Sequence, residues 1–147
     1  NYGAKNTRNI KLILKYAMTT MLILSVLIYV TVFLGASQIA GIFNSEGDAV
    51  LQNIATEGMR LYFTACPFAG FNILISICFT STEHLRPAHM ISLLRGFLLI
   101  IPMAFLLSWL ANIYGVWCAF PTTELLVAAI GLLFYIAIQK KQKLANI

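Results

Sequence analysis

Apolar positions along this chain gather into four long runs instead of alternating with polar ones. The runs extend roughly over 12–36, 58–80, 88–111 and 116–138. Each has about the 20 residues that a helix needs to cross the hydrocarbon core of a bilayer. The pattern predicts an all-α membrane protein with four transmembrane helices, and residues 1–147 form one transmembrane domain. Short junctions between the last three runs predict that those helices pack antiparallel, as a bundle.

Polar punctuation places the helix ends. The chain should become helical near Thr7, and Gly35-Ala36-Ser37 is the expected exit of the first helix. Asn44-Ser45-Glu46-Gly47-Asp48 is the clearest turn cluster. From Ala49 to Glu57 the second helix should start outside the bilayer, with Glu57 and Arg60 one turn apart as an interfacial pair. That helix should leave the membrane at Thr80-Ser81-Thr82. Pro87 suits the first turn of the next helix, where a missing N–H costs nothing, and Ile113-Tyr114-Gly115 should turn the chain into the last one.

Composition excludes a soluble domain. Hydrophobic residues make up 60% of the chain and charged ones 10%, with a mean hydropathy of +0.84, whereas soluble domains are about 45 to 50% apolar. The net charge of +5 would point to nucleic acid in a soluble protein. Here the basic residues stand at membrane edges, so the expected partner is the lipid bilayer and not nucleic acid. Lys5, Arg8, Lys11 and Lys15 flank the start of the first run, Arg86 lies in the second junction, and Lys140, Lys141 and Lys143 stand near the end of the chain. The other two junctions carry no Lys or Arg before Arg60. By the positive-inside rule both termini are cytoplasmic, in a multi-pass protein of the inner (plasma) membrane. Cys66, Cys78 and Cys118 lie inside predicted spans without CxxC spacing, so neither a disulfide framework nor a zinc site is indicated. The first run is not a signal peptide, being too long and preceded by a basic segment. Residue 1 is Asn, which points to a piece of a longer chain.

Pro67, Pro102 and Pro121 each lie inside a span. Each frees the carbonyl four residues earlier, at Phe63, Leu98 and Trp117, and should kink its helix. Such kinks are either passive or serve as gates. Glu124 falls roughly 13 Å below the outer edge, and Arg95 roughly 10 Å in from the opposite side, at about 1.5 Å per residue. The remaining gap of about 7 Å suits a buried pair across the third and fourth helices. Such a pair either locks the hairpin or takes part in ion or proton coupling. Asn72 should hydrogen-bond a neighbouring helix, and with Thr64 and Ser76 it is a candidate for a polar cavity. His84 and His89 with Glu83 are too few and too scattered to predict a metal site. No nucleophile with a positioned base, phosphate-cradling loop or catalytic carboxylate pair is present, so an enzyme is not expected.

Several local strings go further. Asn1-Tyr2-Gly3-Ala4-Lys5-Asn6 before a long apolar helix, Arg60-Leu-Tyr62-Phe63 with Cys66-Pro67-Phe68 and Gly70-Phe71-Asn72, and Ser92-Leu-Leu-Arg95-Gly96 with Ile101-Pro102 occur in order. Gly115-Val-Trp117, Phe120-Pro121 and Glu124 complete the set. Together they resemble helices nine to twelve of multidrug and toxic compound extrusion (MATE) transporters, with wording nearest that of bacterial MepA-like members. The resemblance implies most of the carboxy-terminal lobe of a twelve-helix antiporter. Such a protein exports amphipathic, often cationic, drug-like compounds in exchange for Na⁺ or H⁺ by alternating access, and needs no cofactor beyond the coupling ion. It also implies a missing amino-terminal part of the same transporter as partner. Some members carry a coupling acid in the tenth helix, whereas none lies between Arg60 and Thr80 here. Glu124 would then substitute, or coupling would lie in the missing part. The alternatives are a stand-alone four-helix protein acting as a dimeric small exporter, and a non-transporting assembly subunit.

Overall fold

Asn6 opens the first helix, its side-chain oxygen accepting the Asn9 amide at 3.1 Å. In this computed structural model residues 3, 4 and 6–145 are described, apart from the side chains of Thr7 and of 142–145. Asn1, Tyr2 and Lys5 of the amino-terminal motif, and the Lys143 side chain in the basic tail, lie outside the described residues.

Helix α1 spans Thr7–Phe43 and passes straight through Gly35-Ala36-Ser37, where the sequence predicts an exit. The small residues there serve contact and not termination: Ala36 and Ala40 are buried, and Ser37 offers its carbonyl to Gln52 Nε2 at 2.7 Å. Asn44 is what ends the helix. Its amide donates to the Asp48 carbonyl at 2.8 Å and its oxygen accepts the Asp48 N–H at 3.1 Å, folding the turn on itself. Asp48 then caps α2 (Ala49–Tyr62) by accepting from Val50 and Leu51 at 2.7 and 3.3 Å.

Pro67 shapes the segment after α2. Its missing N–H leaves the Phe63 carbonyl without the usual helical donor, and the Cys66 N–H takes that place, tightening Phe63–Ala65 into a 3₁₀ turn before α3 (Cys66–Ser81). The far end of α3 closes with the His84 N–H on the Phe79 carbonyl at 2.8 Å and the Glu83 N–H on Thr80 at 3.2 Å. This is the Schellman arrangement, and it places Glu83 in the left-handed region at φ 62°.

Helix α4 (Leu85–Leu93) runs into a π turn, Leu94–Leu98, closed by the Leu99 N–H on the Leu94 carbonyl at 2.9 Å. Pro102 sits just beyond, in the first turn of α5 (Ile100–Ala145). Backbone torsions leave the helical region at Ala111 (φ −133°, ψ 18°) and Asn112 (φ 51°, ψ −130°). The chain doubles back there. A Cβ added to Gly115 would overlap the Leu107 carbonyl, although eight residues of straight helix would span about 12 Å. The reversal therefore begins at Ala111–Asn112, just ahead of the expected Ile113-Tyr114-Gly115. Asn112 adopts torsions close to the first central position of a type II′ turn, while Gly115 already belongs to the returning arm and is small because the arms nearly touch.

Among the described residues, three helical stretches are long and apolar enough to cross a membrane: Arg8–Phe43, Ala49–Ser81 and Leu85–Lys141, the last folded on itself. There is no strand among the described residues. Among the described residues, six of the ten buried apolar ones are alanines (36, 40, 65, 88, 119 and 128). That composition suits lipid, where apolar side chains gain nothing by leaving their surroundings and close backbone approach drives association. A larger-residue core of Ile75, Phe79, Ile91 and Val127 joins α3, α4 and the second arm of α5.

Candidate functional site

Three segments converge on one carboxylate. Glu124 lies in the second arm of α5, one turn after Pro121, and is 1% exposed. Arg95, in the π turn, reaches it with Nε at 3.0 Å and Nη2 at 2.9 Å, both on Oε1. Asn72, on α3 and fully buried, donates through Nδ2 to Oε2 at 2.7 Å and to the Glu124 carbonyl at 2.9 Å. The two candidates placed by depth are thus in contact across the α5 reversal, and Asn72 completes the cluster from a third direction.

A lone charge at the bilayer centre costs about 2.5–3.5 kcal/mol on insertion scales. Here two N–H groups of a cation and one amide N–H meet the carboxylate, and charge-assisted bonds of this kind are about twice as strong as neutral ones. Exposure is uneven. The Arg95 side chain keeps 24% of its surface open, whereas its acceptor is sealed. Asn72 Oδ1 is buried with no hydrogen-bond partner, which is costly for an amide oxygen. The neighbouring Thr123 is self-contained, its hydroxyl donating to the Ala119 carbonyl at 2.8 Å.

Other candidates stay apart from this cluster. Thr64 donates its hydroxyl to the Leu61 carbonyl at 2.6 Å within its own helical stretch, and the Ser76 carbonyl accepts from Thr80 at 3.0 Å. A cleft of about 490 Å³ opens between the amino-terminal half of α1 and the end of α3, bounded by Ile10, Leu14, Leu74, Cys78 and Glu83 among others. Asn72, Thr64 and Ser76 are not among its lining residues. Of the three prolines, Pro67 coincides with a 3₁₀ turn and Pro102 comes just after a π turn, while helical torsions continue through Pro121. His84 Nδ1 lies 3.1 Å from Thr82 Oγ1.

The expected Glu57–Arg60 pair does not form. Arg60 turns toward α1, donating to the Phe33 carbonyl at 3.3 Å with its guanidinium 4.9 Å from the Phe33 ring centre. Glu57 instead accepts the Tyr114 hydroxyl at 2.9 Å, across to the α5 reversal. Each long side chain finds a better partner on another helix than its neighbour one turn away. The same end of the molecule holds a Tyr62–Phe120 stack at 4.8 Å, and Trp117 packed so closely on Gly58 that a Cβ there would overlap the indole. The Glu57 hydrogen bond raises the Tyr114 phenol above its ordinary range, with the Glu57 charge and burial adding to the effect.

Comparison with known families bears on the whole arrangement. A model of the MatE family matches residues 1–106. The chain belongs to this family. MATE proteins are multidrug and toxin efflux transporters and not enzymes, and the apolar helices agree with a membrane protein. The matched segment carries Asn72 and Arg95 and stops before Glu124. No curated protein and no solved structure matches the chain.

Proposed function

We propose that this chain forms part of a multidrug efflux antiporter, exchanging amphipathic, often cationic compounds for Na⁺ or H⁺ by alternating access. In this reading it contributes four membrane crossings of a carboxy-terminal lobe, with the two arms of α5 counted separately. Both termini face the cytoplasm across the plasma membrane, and an amino-terminal part of the same transporter completes the cavity. The observation that carries the proposal is Glu124, a carboxylate sealed at membrane depth and held by donors from two other segments. Membrane acids are costly, and those that persist mark ion or substrate paths by default.

The chemistry comes from the pair. While Arg95 occupies Glu124 the site is neutral; once Arg95 withdraws, the carboxylate must take up a proton or another cation, because an unpaired buried charge is strongly unfavourable. A site that alternates between an internal and an external cation couples two opposite fluxes. The π turn and Pro102 stand where the Arg95 segment would have to move.

The test is drug resistance conferred by the complete reading frame in an efflux-deficient bacterial host. Glu124→Gln should abolish resistance at unchanged membrane abundance. Resistance that persists in Glu124→Gln, or falls only in step with abundance, would assign Arg95 and Glu124 to a hairpin lock and remove them from coupling.

A further inference from the structure

The cleft of about 490 Å³ beside α1 lies apart from the Glu124 cluster, and it interrupts a regular pairing of helices. Arg60 donates to the Phe33 carbonyl, the Ser25 hydroxyl donates to the Cys66 carbonyl, and a Cβ on Gly70 would overlap the Met21 side chain. As one helix advances the other retreats by a similar step, so α1 and the α2–α3 stretch run antiparallel in one register. Continued, that register sets Ala17 against Leu74 and Ile10 against Ser81. All four line the cleft, so the helices part just beyond the Met21–Gly70 contact. On either wall its ends are seven residues apart, a length of about 10 Å.

The walls change character along that length. Leu14, Ala17, Leu74 and Ile77 make the deep part apolar, and the lining residues Ile13 and Ile77 are exposed. In a membrane protein such a slot opens sideways to hydrocarbon, so what fills it comes from the bilayer. The mouth is polar. Carbonyls at the end of α3 are already met there, Cys78 by the Thr82 hydroxyl and Phe79 by the His84 N–H, both at 2.8 Å. What is left over is the Glu83 carboxylate, which borders the cleft and has neither cation nor donor among the described residues. Lys11, next to Ile10 and one turn from Leu14, flanks the opposite wall, exposed and likewise unpaired among the described residues. A lysine stem can lie along apolar surface and lift its ammonium to headgroup level.

A molecule that satisfies this slot has an apolar chain and a head bearing both signs of charge. We propose that the cleft holds one phosphatidylethanolamine molecule of the surrounding bilayer, with an acyl chain between α1 and α3, its phosphate toward Lys11 and its ammonium on Glu83. The carboxylate repels a purely anionic head such as phosphatidylglycerol. A phosphatidylcholine head brings both charges but no N–H, so Glu83 gains no charge-assisted hydrogen bond from it. The lipid is a resident part and not cargo. The inference needs only that these helices lie in a bilayer, and it stands whether or not the exporter reading holds.

The experiment is native mass spectrometry of the product of the complete reading frame, taken from nanodiscs with equal parts of dioleoyl-phosphatidylethanolamine, -phosphatidylcholine and -phosphatidylglycerol. Wild type should retain phosphatidylethanolamine over each of the other two by about fivefold, the upper end for an exposed ion pair. Glu83→Gln should bring it down to the phosphatidylcholine level, and Lys11→Gln should weaken retention of both by a similar factor. Ala17→Phe, which fills the deep end, should release the retained lipid. Should Ala17→Phe fail to accumulate in the membrane, the Glu83→Gln result decides alone, because that residue lies in the turn beyond α3. Equal retention of the three lipids, preference for phosphatidylglycerol, or retention indifferent to Glu83 overturns the proposal. So does the absence of any retained lipid, which would mean that another part of the transporter closes the cleft.

Discussion

Asn72 and Glu124 share two hydrogen bonds from a single nitrogen, one to the carboxylate at 2.7 Å and one to the backbone carbonyl at 2.9 Å. The amide therefore holds both the charge and the helix that carries it. Interhelical hydrogen bonds in membranes average about 0.6 kcal/mol, yet loss of this donor also strips a buried carboxylate oxygen, at about 1–3 kcal/mol. Asn72→Leu should destabilise the bundle toward the upper range, by about 2 kcal/mol, in reversible unfolding from mixed micelles. A loss near zero would show that the amide is incidental.

Arg95 and Glu124 should behave as a coupled unit. Removing one partner of a buried pair leaves an uncompensated charge and costs about 3–5 kcal/mol, whereas removing both is much milder. The double variant Arg95→Met with Glu124→Gln should therefore be more stable than Arg95→Met alone. Strict additivity in the double-mutant cycle would contradict the pairing.

Glu83 occupies a left-handed position that glycine takes at little cost, and a non-glycine residue there loses about 1 kcal/mol. Glu83→Gly should raise the thermal midpoint, while Glu83→Val, β-branched at positive φ, should lower it. The reverse order would mean that the Glu83 side chain contributes more than its backbone strain takes away.

Gly58 faces the Trp117 ring with no room for a methyl group. Gly58→Ala should force α2 and the second arm of α5 apart, at about 1–3 kcal/mol for overpacking. Trp117 fluorescence should report greater solvent or lipid access. An unchanged spectrum and midpoint would mean that the indole moves aside freely.

The Tyr114–Glu57 contact should respond to alkali. Because the folded phenol is raised above its unfolded value near 10, its contribution is present below that value and lost as pH rises through the folded one. The difference in thermal midpoint between wild type and Tyr114→Phe should shrink as pH rises from about 8 to about 11. A difference independent of pH would remove Glu57 as the relevant acceptor.

How far the sequence reached differs by element. The start at Thr7, the Asn44–Asp48 turn and the α3 end near Ser81 were legible because each depends on a few adjacent polar residues that cap or turn locally. Arg95 and Glu124 could be brought near one another by depth alone, since both are confined to the same slab of hydrocarbon. Asn72 was legible as a residue needing a partner, but which helix supplied it depends on rotation about the helix axis, and an apolar run encodes that weakly. The π turn left no trace, because its five residues, Leu94–Leu98, read as ordinary helix. Gly35-Ala36-Ser37 misled for a related reason: small residues mark both helix ends and helix contacts, and only the neighbour decides which. Glu57 and Arg60 failed as a pair because spacing within one helix says nothing about the stronger partners that Tyr114 and Phe33 offer across it.

The reversal at Ala111–Asn112 also bears on how the chain enters a bilayer. With no charged residue between Arg95 and Glu124, nothing hydrophilic enough to resist transfer stands at the tip, and both arms can be inserted together as one hairpin. In the exporter reading, Arg95 and Glu124 would then enter the hydrocarbon already paired, as a neutral dipole. Inserted one after the other, each arm would carry a bare charge costing about 2.5–3.5 kcal/mol. Hairpin insertion through the uncharged turn would thus spare each arm that cost.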